Sequence, residues 1–276
     1  MIHRRIDDWE SAYANGVNIA RGDTYVAKWA ADASAYRDAM TKDGRAKLDI
    51  AYGDAPRNRF DLFMPREAPK GLVVYVHGGY WHLFDKSSWS NLAHGATQRG
   101  YVVAMPSYTL CPDIRIGGIV REVAAAIDAV AATIGGPIYI TGHSAGGHLA
   151  TRMMTTTSPL SDATKARVRN IVSISGVHDL RPMMRMAMNA DLKLDETETI
   201  AESPALLKPI DGLRVTCWVG AGERAEFIRQ NALLANIWTG LGAATAVVEE
   251  PDRHHFSVIE GLAEPDHALT KTLLEE

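Results

Sequence analysis

Residues 137–154 read PIYITGHSAGGHLATRMM, and no other stretch of this 276-residue chain restricts its fold as tightly. Ile138, Tyr139, Ile140 and Thr141 form a β-branched and aromatic run suited to a buried strand, and His148 to Met154 have the composition of a helix. Between them stands GHSAG, a G-x-S-x-G pattern. In a sharp strand-to-helix turn of this kind Gly142 and Gly146 are needed because a Cβ would collide with the neighbouring strand or helix. The turn lifts the Ser144 hydroxyl into the open and leaves the N–H of Ala145 free at a helix N-terminus, where developing negative charge is stabilised. The pattern alone is common by chance; the strand and helix around it give it weight. The competing reading is a serine that merely caps a helix.

Strands and helices alternate along the rest of the chain. Ala46 to Tyr52 and Arg59 to Met64 are alternating runs joined by GDAPRN, whose Gly, Asp, Pro and Asn are turn formers, and they predict an antiparallel hairpin with one wet face. The run LVVYVHGGYW then opens with five apolar residues, which fits a strand buried on both faces. Helices are expected over Ser88 to Gln98, Ile119 to Ile134 and Glu223 to Leu241, with a terminal helix after Phe256. Further strands are expected over Tyr101 to Met105, Asn170 to Ser175, Leu213 to Val219 and Thr245 to Glu249. This order specifies an α/β fold, a mostly parallel, doubly wound sheet with an antiparallel N-terminal hairpin. Ligands in such sheets bind at the carboxyl ends of the strands, where Ser144 falls.

The whole chain, 1–276, reads as one domain with two additions. Residues 1–45 form an N-terminal helical segment in which Tyr25, Val26, Trp29, Ala33, Tyr36 and Met40 recur at helical spacing after Asp23, an expected N-cap. Its aromatic face either docks on the core or roofs a pocket. Residues 177–204 are an insertion, a small cap near the site, holding Met183, Met184, Met186 and Met188.

Hydrophobic residues make up 46% of the chain and charged residues 22%, ordinary for a globular protein with a substantial core. The net charge of -4 is spread along the chain without a basic stripe, which points away from nucleic acid and membrane surfaces as partners. No run of about 18 apolar residues is present, and MIHRRIDDWE carries two arginines without an apolar stretch behind them, so the expectation is a cytoplasmic protein. Cys111 and Cys217 lack metal or disulfide spacing and read as free thiols. His143 and His148, offset by five, share no helical face and have no carboxylate between them, so neither a metal nor a cofactor is expected. The expected partner is a small-molecule substrate, and homodimer formation is left open.

A serine hydroxyl near neutral pH needs a base at hydrogen-bond distance, itself oriented by a third group. After this kind of turn the partners follow in the order carboxylate, then histidine. PDRHHF, after the last strand, offers His254 and His255; neighbours in an extended loop point opposite ways, and His255 is favoured, leaving His254 solvated or loop-stabilising. For the carboxylate, Glu223 in VGAGER is the first acid after its strand, Asp179 in SGVHDL competes, and Glu226 and Asp252 are weaker candidates. An oxyanion also needs N–H donors besides Ala145, and Gly78, Gly79 and Tyr80 in the HGGYW turn occupy the right place. His77 is read as holding that turn. Tyr80 and Trp81, with the methionine-rich insertion, are expected to wall an aryl ring.

Together the HGGYW turn, the GHSAGGHL elbow, the VGAGERAEFIRQ segment and the HHF terminus resemble the arylformamidase (kynurenine formamidase) branch of the α/β-hydrolases, near the hormone-sensitive-lipase-like esterases. The resemblance runs from about Ala46 to Leu262. In that family the acid is commonly an aspartate in an HDSPEF-like segment, which aligns on Glu223 with Glu226 and Phe227 matching its EF. The family histidine lies directly before a phenylalanine, which selects His255. The resemblance implies an α/β-hydrolase fold and hydrolysis of N-formyl-L-kynurenine to kynurenine and formate in tryptophan breakdown. A carboxylesterase of small acyl or aryl esters is the alternative, and a non-catalytic binding protein on the same fold a remoter one.

Overall fold

The computed structural model describes residues 5–275, so residues 1–4 of the N-terminal reading lie outside the described residues. Eight strands join one sheet: β1 Ala46–Ala51, β2 Arg59–Phe63, β3 Leu72–Val76, β4 Val102–Pro106, β5 Ile138–His143, β6 Val168–Ile174, β7 Arg214–Gly220 and β8 Ala244–Glu250. Their spatial order is β1-β2-β4-β3-β5-β6-β7-β8. Only β2 runs antiparallel to its neighbours, β1 and β4; every other pairing is parallel. The antiparallel start followed by strand-helix alternation is therefore the arrangement built.

Successive side chains of a strand face opposite sides of the sheet. In β3, Leu72, Val74 and Val76 join one core, shared with the helices Ile116–Ala131, Ala145–Arg152 and Ala225–Thr239. Val73 and Tyr75 join the other, against the helices Tyr25–Lys42 and Ala268–Leu274. Full burial of one such aliphatic side chain contributes about 1.5–3 kcal/mol, and a one-residue slip would move every residue to the wrong face, so the register is firmly held. That register pairs Val76 with Gly142 and sets the turn after β3 beside the turn after β5.

Four local expectations are corrected. The wet face belongs to β1 alone: β2 lies inside the sheet, with Phe60, Leu62 and Phe63 buried. Its polar residue, Asp61, is also buried, where it pairs with Lys86 at 2.8 Å and accepts from the N–H of Asp49 at 2.9 Å. The helix expected over 88–98 is broken at Trp89 (φ -139°) into a 3-10 stretch, Lys86–Ala93, and a short α-helix, His94–Gln98. Asp23 is not an N-cap; it lies in a 3-10 turn, Gly22–Thr24, that runs into the helix Tyr25–Lys42. The long helix after β4 begins at Ile116 rather than Ile119, because Glu198 of the insertion accepts from the N–H of Gly117 at 3.0 Å and holds its first turn.

The insertion itself is three short helical pieces, Arg181–Arg185, Asn189–Leu192 and Glu196–Glu202. It is fastened to the body by Arg115, which reaches Asp195 and Glu198 at 2.7 Å each, and by the largely buried Arg152–Glu202 pair at 2.8 Å.

Candidate active site

β5 ends at His143, and Ser144 follows with φ 56° and ψ -117°, a backbone conformation that a non-glycine residue rarely adopts. Its N–H is held by the Ile174 carbonyl at 2.8 Å. Space explains the flanking glycines: a Cβ on Gly146 would lie on the Val76 carbonyl of β3, and one on Gly142 on the Gly146 carbonyl. Ser144 precedes the helix Ala145–Arg152, yet its side chain makes no capping hydrogen bond, which removes the reading of Ser144 as a simple helix cap. Ser144, His143 and His255 all line a cavity of about 390 Å³.

Of the four acids weighed for the histidine, the structure brings Glu223 to it. Glu223 Oε2 lies 2.6 Å from Nδ1 of His255. The other oxygen, Oε1, accepts from the Ser175 hydroxyl at 2.5 Å and from the Gly220 N–H at 2.9 Å, so the carboxylate is held at both ends. Asp179 is committed elsewhere, in a two-point pair with Arg181 at 2.9 and 2.8 Å. Glu226 is a buried structural hub that accepts from Tyr13 Oη at 2.8 Å and from Arg229 at 2.7 Å twice. His254 turns away from the cavity: its Nδ1 accepts from the N–H groups of Phe256 and Ser257 at 3.2 Å, leaving Nε2 to donate to Tyr25 Oη at 3.1 Å. The His255 ring is wedged between the rings of His143 and Phe227, at 4.5 and 4.4 Å between centroids.

The HGGYW turn packs directly on the serine. A Cβ on Gly78 would lie 2.7 Å from the His143 carbonyl and 3.2 Å from Ser144 Cβ, and Gly79 has φ +105°. Among the described residues the N–H groups of Gly78, Gly79, Tyr80 and Ala145 have no protein acceptor. His77 has the structural role expected: Nδ1 bonds to the Gly78 carbonyl at 2.8 Å, and the ring stacks on Tyr108 at 4.3 Å. Burial pulls its pKa down to about 4.

Tyr80 lines the cavity, as expected, but Trp81 does not. Trp81 is fully buried beneath the turn, its indole N–H directed at His148 Nδ1 at 3.3 Å. The reason is the paired left-handed conformation of Tyr80 (φ 48°) and Trp81 (φ 60°), which sends the two rings in different directions. His148 in turn donates from Nε2 to the Glu202 carbonyl at 2.7 Å, and burial depresses its pKa to about 3. Its two nitrogens are thus occupied, and among the described residues no group of three His, Cys, Asp or Glu side chains is placed to hold a metal ion.

The methionines divide. Met186 and Met188 line the cavity, whereas Met183 lies in the core and Met184 packs beside it. Val26 and Trp29 of the long N-terminal helix also line it, so that helix does roof the pocket. Sequence reasoning missed Ser175 as a holder of Glu223, and Glu10, Tyr13 and Asn15 as cavity walls. Tyr13 gave a signal in principle, as one of two aromatics, with Trp9, spaced four apart in a polar segment; Ser175 gave none.

The fold recurs in known proteins. The family model BD-FAE matches residues 60–210, more than half of the chain. A kynurenine formamidase from Danio rerio is 28% identical over 239 residues, covering 83% of this chain and 80% of that protein. A crystal structure from Silicibacter sp. tm1040, named as a candidate thioesterase, is 45% identical with a TM-score of 0.91, covering 96% of this chain and 98% of that one. A hyperthermophilic esterase from Pyrobaculum calidifontis, at 17% identity and a TM-score of 0.69 over 92% of both chains, shares the fold. No helix among the described residues is long and apolar enough to cross a membrane. With a mixed sheet, an antiparallel first hairpin and an insertion over the carboxyl ends of its strands, the chain belongs to the BD-FAE family, among the serine hydrolases of the α/β-hydrolase fold.

Proposed function

We propose that this protein hydrolyses an aryl formamide, N-formyl-L-kynurenine being the substrate most in keeping with its relatives, through an acyl-serine. Ser144 attacks the formyl carbon while His255 takes its proton, and Glu223 fixes the imidazole by holding Nδ1. The N–H groups of Ala145 and of the 78–80 turn receive the oxyanion. His255 then protonates the departing aniline nitrogen, and water, activated by the same ring, releases formate. The observation that carries this reading is the Glu223–His255 pair at 2.6 Å beside a strained, uncapped serine. The aromatic and methionine lining, Tyr80, Trp29, Phe84, Met186 and Met188 among it, suits a flat ring. In this reading the chain acts as one catalytic unit, alone or as a homodimer, in the cytoplasm and in tryptophan breakdown.

A carboxylesterase acting on small acyl or aryl esters is the second reading, favoured by the likeness to the Silicibacter chain named for thioester cleavage. Among the described residues the cavity lining contains no Lys or Arg for a polyphosphate carrier, which argues for a small uncharged acyl group in either case. Measuring kcat/KM for N-formylkynurenine against short p-nitrophenyl esters separates the two. The formamidase reading expects the formamide to win; preference for the esters by orders of magnitude removes it.

A further inference from the structure

Tyr80 and Trp81 are consecutive non-glycine residues in the left-handed region, at φ 48° and 60°, next to Gly79 at φ 105°. Backbone held in this way is costly and persists only where its surroundings enforce it. Here each ring is secured at its far end. The Trp81 indole N–H is directed at His148, itself bonded to the Glu202 carbonyl. The Tyr80 hydroxyl reaches the N-terminal segment, donating to the Tyr13 carbonyl at 2.6 Å and accepting from Asn15 Nδ2 at 3.3 Å. Burial, and after it the charge of Glu223, raises the pKa of that phenol, so it keeps its proton through the neutral range. Its acceptor is firmly placed in turn. Tyr13 is buried, its hydroxyl bonded to Glu226 and Gln230 of the helix Ala225–Thr239 and its ring edge-on to Phe227 at 5.7 Å. Phe227 also lies against the His255 ring. A continuous line of contacts thus runs from the helix after Glu223, through Tyr13, to the turn beside Ser144.

We propose that the Tyr80 hydroxyl is a positioning group: by fastening the strained 78–81 turn to residues 13–15, it keeps the N–H groups of that turn where the oxyanion forms. The N-terminal segment is then part of the catalytic apparatus as well as a cavity wall. This rests on the reading that the turn receives the oxyanion, but not on which acyl compound is cleaved. Misplacing such donors by about 1 Å costs up to about a hundredfold in rate, although the donors themselves are still present.

The test is Tyr80→Phe in the full chain, which keeps the ring and removes the hydroxyl. Turnover of a short p-nitrophenyl ester is measured, with kcat counted per serine titrated by a fluorophosphonate so that misfolded molecules drop out. The rate of phosphonylation is followed too, because the phosphoryl oxygen takes the place of the oxyanion. Tyr80→Phe should lower kcat and the phosphonylation rate about tenfold to a hundredfold, with KM within about threefold of wild type. If Tyr80→Phe leaves no titratable serine, Asn15→Ala, which removes the other hydrogen bond and retains the tyrosine, decides: both rates should fall about threefold to tenfold. Rates within about twofold of wild type, a change confined to KM, or a loss of kcat with undiminished phosphonylation overturns the proposal. Gly78→Ala, run in parallel, separates the two levels. Damage there with a normal Tyr80→Phe discards only the role of the hydroxyl, whereas normal rates in both discard the role of the turn as well. No adduct on the wild-type protein removes the serine chemistry and this proposal together.

Discussion

Glu223 Oε2 and His255 Nδ1 lie 2.6 Å apart although 32 residues separate them in the chain. Each is delivered by the loop that follows a parallel strand, β7 for the acid and β8 for the histidine, and these strands are neighbours in the sheet. The parallel sheet thus turns distance in sequence into adjacency at one rim. A glutamate fits because its second oxygen is anchored by Ser175 and Gly220, which takes up the freedom of the extra methylene.

Removing that acid should be far more damaging than removing its competitor. Glu223→Ala is expected to lower kcat by about 10,000-fold, the scale seen when a serine-histidine pair loses its orienting carboxylate. Asp179→Ala, which breaks only the pair with Arg181, should leave kcat within about tenfold. Steady-state kinetics on both variants gives the ranking, and the reverse order would move the acid to the loop after β6.

Gly78 tests the turn that accompanies the serine. An added methyl would press on the His143 carbonyl and on Ser144 Cβ, shifting the backbone donors away from the oxyanion. Gly78→Ala should therefore reduce kcat by about a hundredfold or more with a smaller change in KM. A variant of normal kcat would show that the turn has no part in the reaction.

The Tyr13 hydroxyl links the N-terminal segment to the body, donating to Glu226 and accepting from Gln230 Nε2 at 2.9 Å. Tyr13→Phe leaves the buried Glu226 short of one donor and should cost about 1–3 kcal/mol of stability. Because the same segment walls the cavity, KM should rise with it. Chemical denaturation and kinetics on one preparation check both, and an unaltered unfolding midpoint would mean the segment docks by other contacts.

Acid sensitivity follows from the buried histidines. Burial lowers the pKa of His77 to about 4 and of His148 and His178 to about 3. Each stays neutral in the folded protein and gains its proton more readily when unfolded, so the unfolded state binds more protons below about pH 6.5. Their contribution is complete above that pH and declines as pH falls, by about 1.4 kcal/mol per unit for each ring, until the folded pKa is passed. Burial raises the pKa of Glu202 and offsets part of this at the acid end. Tm should drop between pH 6.5 and 4, and His148→Gln should show a shallower slope from a lower starting value. A Tm flat across that window would contradict neutral burial of these rings.

Much of this was legible because it rests on periodicity and on short-range sterics. The apolar runs at 72–76 and 138–141 fit buried strands, and the glycines around Ser144 fit a crowded turn, as the structure has them. What stayed hidden depends on contacts between distant segments. Asp61 looks like the wet side of a hairpin until Lys86 is found beside it. Trp81 looks like a pocket wall until the left-handed pair at 80–81 sends it beneath the turn. Asn15 and Ser175 carry no local pattern, and their positions follow only from Tyr80 and Glu223.

The central claim is that Ser144 becomes covalently acylated. A fluorophosphonate, which forms a stable adduct with an activated serine, tests this without assuming a substrate. Intact-mass analysis should show a single adduct, peptide mapping should place it on Ser144, and both label and turnover should vanish in Ser144→Ala. An adduct on another residue, or undiminished turnover in Ser144→Ala, would contradict the account.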